Sequence, residues 1–249
     1  MITIEELKRL TKLYNTRPWQ QEKHYIQHAI LFSLAEQPLV FKGGTYLWFF
    51  HQIQRFSEDL DFTATGKISP TIMEKTLQTL NDLRIEATGK KSEGERPGIS
   101  FRISAQGPLY HNPQSLTHVY VEISQRENIM LETIPHTLSN EIYGFSPKIL
   151  QGMALEEVAA EKVRAIMSRN KPRDVFDLSF LIQQKKIAFN EKLINQKMKY
   201  YNEKFDPKKF IEKTEEKQKD WNREMTRIML TKLPPFEEEL KIIKEWIQG

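Results

Sequence analysis

The chain has 249 residues, 39% hydrophobic and 28% charged, enough to bury one large core or two unequal ones, and 37 basic against 33 acidic residues leave a formal charge of only +4. So small a surplus is weak support for a nucleic-acid partner, and the absence of cysteine excludes disulfides, thiolate nucleophiles and Cys-based zinc or iron–sulfur centres. No apolar run approaches the roughly 18 residues of a membrane span, and Met1-Ile2-Thr3-Ile4-Glu5-Glu6 lacks the apolar stretch of a secretory signal, so the sequence reads as cytoplasmic with no membrane segment.

Apolar residues at helical spacing predict a first helix from Ile4 to Tyr14. Pro18 opens a second that runs to about Glu36, and Pro38 ends it. Leu39-Val40-Phe41 is a short apolar run of the kind that forms a buried strand before a glycine turn, and the aromatic stretch from Thr45 to about Gln54 reads as a buried helix. In the strand expected over Ser57 to Thr63, alternation places Asp59 and Asp61 on one face and Leu60 and Phe62 on the other. A helix from about Pro70 to Leu83 leads to strand-like stretches at Arg84 to Thr88, Ile99 to Ala105, His118 to Ser124 and Ile129 to Thr133, punctuated at Pro97-Gly98 and His111-Asn112-Pro113. Beyond Gly152 the pattern is helical to the end. Pro172, Pro207 and Pro234-Pro235 each fit a helix start, giving about five helices and a division into 1–153 and 154–249.

The chemistry gathers in Lys42-Gly43-Gly44-Thr45 and Arg55-Phe56-Ser57-Glu58-Asp59-Leu60-Asp61. A glycine pair lets the backbone approach a phosphate, and the helix that follows offers unpaired N–H groups and a favourable dipole. Two carboxylates at i and i+2 on a strand project side by side and suit a divalent cation. Glu122 is the best third carboxylate, since Val119, Val121 and Ile123 form the apolar face of its strand and Tyr120, Glu122 and Ser124 the other; a solvated strand residue is the plain alternative. Taken singly, the glycine pair is a common strand-to-helix turn and the acidic pair a common solvated one. Their combination and order carry the reading. Arg55, beside Glu58 and Asp59, either binds a phosphate or orients a carboxylate, the latter preferred. His24 and His28 share a helix face but lack the glutamate of a zinc-protease helix, since Tyr25 follows His24, so they read as packing residues. The run Lys197-Met198-Lys199-Tyr200-Tyr201 with Lys204, Lys208, Lys209 and Lys213 mixes cations and rings, yet Glu203, Asp206, Glu212, Glu215 and Glu216 dilute it; it reads as a solvated helical face, or else as a groove wall for RNA, with Phe205 and Phe210 in the core.

These motifs resemble the nucleotidyltransferase-fold toxins of the AbiEii/AbiGii family, and the resemblance continues in Glu161-Lys162-Val163-Arg164-Ala165 and Arg173-Asp174-Val175-Phe176-Asp177-Leu178. It implies an α+β fold, a nucleotidyltransferase-like mixed sheet with flanking helices followed by a C-terminal helical bundle. It implies a Mg²⁺- or Mn²⁺-dependent toxin of a toxin–antitoxin or phage-defence system that transfers NMP from an NTP to an RNA acceptor, plausibly a tRNA 3′ end, with an antitoxin encoded nearby. In that reading Lys42, Gly43, Gly44, Thr45, Arg55, Ser57 and Lys162 serve the nucleotide, Asp59, Asp61 and Glu122 hold metal with Glu122 also a candidate general base, and either Asp174 or Asp177 is the last acidic motif. A lone helical Lys162 is otherwise a surface residue, and Asp174 otherwise a first-turn acid favoured by the helix dipole. The competing readings are a protein AMP- or UMP-transferase and a nucleotide- or RNA-binding module without turnover.

Overall fold

The computed structural model describes residues 1–92 and 98–249, so Pro97 of the expected Pro97-Gly98 turn lies outside the described residues. The chain forms two compact units. Met1–Phe50, Ser57–Ile129 and Thr133–Gly152 make the first, and His51–Phe56, Met130–Glu132 and Met153–Gly249 the second. The second thus includes two short segments from within the expected 1–153 half.

The first unit is built on a mixed seven-stranded sheet among the described residues, in the order β3-β4-β5-β2-β1-β7-β6. Helices α1 (Ile4–Leu13) and α2 (Pro18–Leu34) precede β1 (Leu39–Lys42), which runs directly into α3 (Gly43–His51); β2 (Leu60–Ala64), α4 (Ile72–Asp82), β3 (Ala87–Ser92), β4 (Gly98–Ala105), β5 (Thr117–Ser124), β6 (Ile134–Leu138) and β7 (Lys148–Gly152) follow. Thr3 caps α1 through a reciprocal pair with Glu6, which satisfies donors that the first turn leaves open. β2 pairs antiparallel with β1 and parallel with β5, while β1 and β7 are parallel. One face of this sheet is apolar. Phe41, Leu60, Phe62, Phe101, Ile103, Val119, Val121 and Ile123 are all buried there, and helices α2 and α4 pack on the sheet. Each such side chain, fully buried, contributes about 1.5–3 kcal/mol. The other face, carrying Lys42, Asp61, Glu122, Tyr120 and Arg102, is polar and reaches solvent at Glu122 and Tyr120.

Four strand expectations shift, the first at β2, which spans Leu60–Ala64 and not Ser57 to Thr63, so that Asp59 precedes the strand instead of sharing a strand face with Asp61. Arg84 takes a left-handed conformation, φ 59°, as α4 ends, so β3 begins at Ala87 rather than at position 84. The segment Ile129–Thr133 is no strand, because the Met130 and Leu131 N–H groups donate to the Glu157 carboxylate and are withdrawn from any ladder; β6 starts at Ile134 instead. β7, unanticipated, pairs with β6.

In the second unit α5 (Leu155–Ser168) packs against α6 (Pro172–Lys185), α7 (Glu191–Lys199) and α8 (Pro207–Glu215); α6 also meets α9 (Gln218–Met225) and α10 (Phe236–Gln248), six helices among the described residues. Pro172 and Pro207 stand in the first turns of α6 and α8, and Pro235 caps α10, as the prolines predict. Buried indoles find acceptors: Trp221 Nε1 donates to the Pro234 carbonyl at 3.0 Å and Trp246 Nε1 to the Ile187 carbonyl at 2.7 Å. No helix among the described residues is long and apolar enough to cross a membrane.

Candidate active site

In the first unit the glycine turn and the acidic strand are built against each other. β1 and β2 place Lys42 opposite Asp61, and Gly43, the next residue, turns with φ +75°, a conformation that side chains other than glycine adopt only at a cost. A Cβ added at Gly43 would stand 2.5 Å from Asp61 Oδ2, 3.1 Å from its Cβ and 3.2 Å from its Cγ. The glycine therefore does two things: it allows the sharp entry into α3, and it leaves the space in which the Asp61 carboxylate sits. Gly44 and Thr45 follow in the first turn of α3, both buried. The Thr45 hydroxyl donates to the Asp59 carbonyl, so this side chain holds the acidic segment to the helix start. Asp59 precedes β2 by one residue and Asp61 lies within it; both are half-buried.

Glu122 joins Asp61 through strand register. The two are Cα partners in the parallel pairing of β2 with β5, and partners in a ladder project from the same face. Glu122 is exposed and Asp61 half-buried, so two carboxylates stand on neighbouring strands with access to solvent. Among the described residues no three His, Cys, Asp or Glu side chains form a ready-made metal cage. The donor set nonetheless fits Mg²⁺ or Mn²⁺: hard oxygen ligands are the right chemistry, and Mg²⁺ commonly takes only one or two protein carboxylates because substrate phosphates and water complete its shell. Lys42, 8% exposed, adds a cation on that face, and its Nζ is 3.0 Å from Glu127 Oε2. Glu127 is a residue the sequence reading missed; its only signal is an acid following Arg126 just beyond β5. Ser57 is half-buried, and its carbonyl accepts from Gln27 Nε2 at 3.1 Å.

The remaining predicted residues meet in the second unit. Lys162 Nζ lies 2.9 Å from Asp174 Oδ1 and 2.5 Å from Asp177 Oδ2. The two aspartates, three residues apart, present one turn of α6 toward it. Arg55, 1% exposed, grips Asp177 in a two-pronged pair of 2.5 and 2.6 Å and donates to the Phe56 carbonyl, so its guanidinium orients a carboxylate, the preferred alternative for that residue. Arg169, unforeseen, holds Asp174 in the same manner at 2.8 and 2.9 Å. Three cations and two anions thus alternate as Arg169, Asp174, Lys162, Asp177 and Arg55. For both acids burial pushes the pKa up, but Lys162 and Arg169 at Asp174, and Arg55 and Lys162 at Asp177, outweigh it and leave each below the usual aspartate value.

Lys197, which opens the basic and aromatic run, is buried, with Nζ 2.5 Å from Glu157 Oε1 and 3.1 Å from Glu161 Oε1; it is an internal ion pair and not part of a groove wall. Phe205 and Phe210 are core, as expected. His28 is buried beside Phe49, Tyr143 and Phe145, and His24 Nδ1 lies 2.7 Å from the Tyr143 hydroxyl, which makes both packing residues.

A mixed sheet whose glycine turn enters a helix beside a strand carboxylate, with a helical second unit, is the architecture of a nucleotidyltransferase fold. The chain matches the family described as nucleotidyl transferase AbiEii toxin, type IV TA system, over residues 25–241, and it belongs to that family. Among solved structures it is similar to JHP933 from Helicobacter pylori, at 21% identity with 92% of this chain and 90% of that one covered and a TM-score of 0.64. It is also similar to MenT4, nucleotidyltransferase toxin Rv2826c from Mycobacterium tuberculosis H37Rv, at 18% identity, 96% and 87% coverage and a TM-score of 0.65. Identities this low carry the fold. A search of curated proteins gave no match.

Proposed function

We propose that this nucleotidyltransferase toxin moves a nucleoside monophosphate from an NTP to a hydroxyl of an RNA acceptor, at a tRNA 3′ end, in the cytoplasm and under control of an antitoxin. The acceptor oxygen forms a bond to the α-phosphorus, the bond from that phosphorus to the β-bridging oxygen breaks, and pyrophosphate leaves with the electron pair. The reading is carried by one observation: the Gly43 turn packs directly on the Asp61 carboxylate, with Glu122 beside it on the next strand. Asp59, Asp61 and Glu122 would hold Mg²⁺ or Mn²⁺, which when bound neutralises charge on the triphosphate and lowers the pKa of a coordinated hydroxyl. Gly43 and Gly44 bring backbone N–H groups at the start of α3 to the phosphates, where the helix dipole favours negative charge. Thr45 keeps Asp59 in place through its carbonyl, Lys42 supplies positive charge beside Asp61, and Glu122 accepts the proton of the attacking hydroxyl. In the second unit Lys162 is proposed to neutralise nucleotide phosphate, the role the sequence resemblance implies, and the net positive charge of its ion cluster supports this. Asp174 and Asp177 then orient it, with Arg55 as the guanidinium that fixes Asp177.

The test is incubation of the purified protein with total RNA, Mg²⁺ and each α-labelled NTP in turn, beside Asp59→Ala and Asp61→Ala proteins. Label on RNA that disappears in both variants is the expected result. Label on protein alone would replace the acceptor, and NTP binding without any transfer would overturn the enzyme reading.

A further inference from the structure

The polar face of the first unit's sheet continues past the carboxylates in an ordered way. Tyr120, Arg102 and Lys90 are consecutive register partners across β5, β4 and β3, so their side chains form one row on one face. Tyr120 stands two residues from Glu122 on β5, about 7 Å along the strand, and the row itself spans about 10 Å across two strand spacings. The row above it is Glu122, Ser100 and Ser92, which adds no further acid to this stretch beyond Glu122 itself. Three features set these side chains apart from an ordinary solvated strand. Tyr120 is 49% exposed, an aromatic ring left open to solvent. Lys90 is exposed, and Arg102 beside it is half-buried with its Nε making no hydrogen bond within the chain. A ring at one end of a row with two cations extending from it can stack a base while the cations neutralise the phosphates that follow.

We infer that Tyr120, Arg102 and Lys90 form the track for single-stranded RNA that leads the acceptor hydroxyl to Asp61 and Glu122, with the base stacked on Tyr120 and phosphates held by Arg102 and Lys90. The inference rests on the proposed transfer reaction and names its acceptor surface. A single strand fits better than a duplex, because a stacking ring on an open sheet needs an unpaired base. The positive charge lies in this local row, which is why the small surplus over the whole chain conceals it.

The experiment measures binding of a fluorescent single-stranded RNA to the full-length protein by anisotropy, without NTP, across a salt series. Tyr120→Ala weakens binding roughly fivefold to a hundredfold, while Tyr120→Phe, which keeps the ring, binds as the natural protein does. Lys90→Gln and Arg102→Gln each lower the slope of log K against log salt by about 0.7, one phosphate contact each. Unchanged affinity in Tyr120→Ala, with unchanged slopes in the other two, overturns the track and leaves the transferase reading standing. RNA binding that depends on this row in a protein that transfers no nucleotide from any NTP keeps the track and removes the transferase reading. A protein that binds no RNA yet labels a polypeptide overturns the track.

Discussion

Gly43→Ala separates backbone strain from damage to the site, because the fold contains its own control. Gly43 and Gly144 have nearly the same left-handed φ, +75° and +71°, but a Cβ at Gly43 would press on Asp61 whereas one at Gly144 meets nothing within 4 Å. Alanine in this conformation costs about 1–2 kcal/mol at either position, which for a chain of this size lowers Tm by roughly 2–8 °C. Gly43→Ala carries a second consequence. A contact of 2.5 Å forces the Asp61 side chain to move, and a catalytic group displaced by about 1 Å loses on the order of a hundredfold in rate. Thermal unfolding and transfer of labelled NMP are therefore measured on both variants. The expected result is similar Tm losses with a hundredfold drop in kcat for Gly43→Ala alone. Equal activity in the two would show that Asp61 is not held against the turn for catalysis.

Chelation by EDTA is expected to stop label transfer and added Mg²⁺ or Mn²⁺ to restore it, with Glu122→Gln needing a higher metal concentration for half-maximal rate; a rate indifferent to chelation would exclude the metal. Arg55→Met strands the buried Asp177 charge beside Lys162 alone and should destabilise by about 3–5 kcal/mol in chemical denaturation, whereas adding Asp177→Leu should recover much of the loss. Stability of Arg55→Met equal to the natural protein would mean that the pair contributes nothing. Burial holds His28 neutral in the fold, with its pKa pushed down from 6.5 to about 4. Unfolding therefore takes up a proton between these values, and stability that is complete above pH 6.5 falls as pH drops, by up to about 1.4 kcal/mol per pH unit from this residue. Denaturant melts across pH 4 to 6.5 should show a shallower slope in His28→Phe, and an unchanged slope would assign the effect elsewhere.

Local rules made the centre of the first unit legible. Leu39-Val40-Phe41 followed by two glycines specifies a buried strand, a tight turn and a helix within seven residues, and alternation around Leu60 and Phe62 shows which way Asp61 points. Glu122 follows from the same alternation in β5, but its position next to Asp61 depends on a parallel pairing between strands some sixty residues apart, which no local pattern contains. The missed features share that non-local origin. Met130 and Leu131 have a strand composition, but Glu157 takes their N–H groups. Lys197 has a surface composition, but Glu157 and Glu161 draw it inside. Arg169 and Arg55 show no sign in sequence that they bracket the two aspartates of α6.

The assignment of His51–Phe56 to the second unit bears on how the protein can be dissected. A fragment ending at Gly152 would keep Arg55 and delete Asp177, leaving a guanidinium without the anion it grips in the intact fold. Cutting the gene at the apparent boundary would thus yield a piece that has lost the partner of one of its own side chains, whatever the soundness of its sheet. Loss of toxicity in such a truncation would report broken folding before it reported anything about which half carries the chemistry.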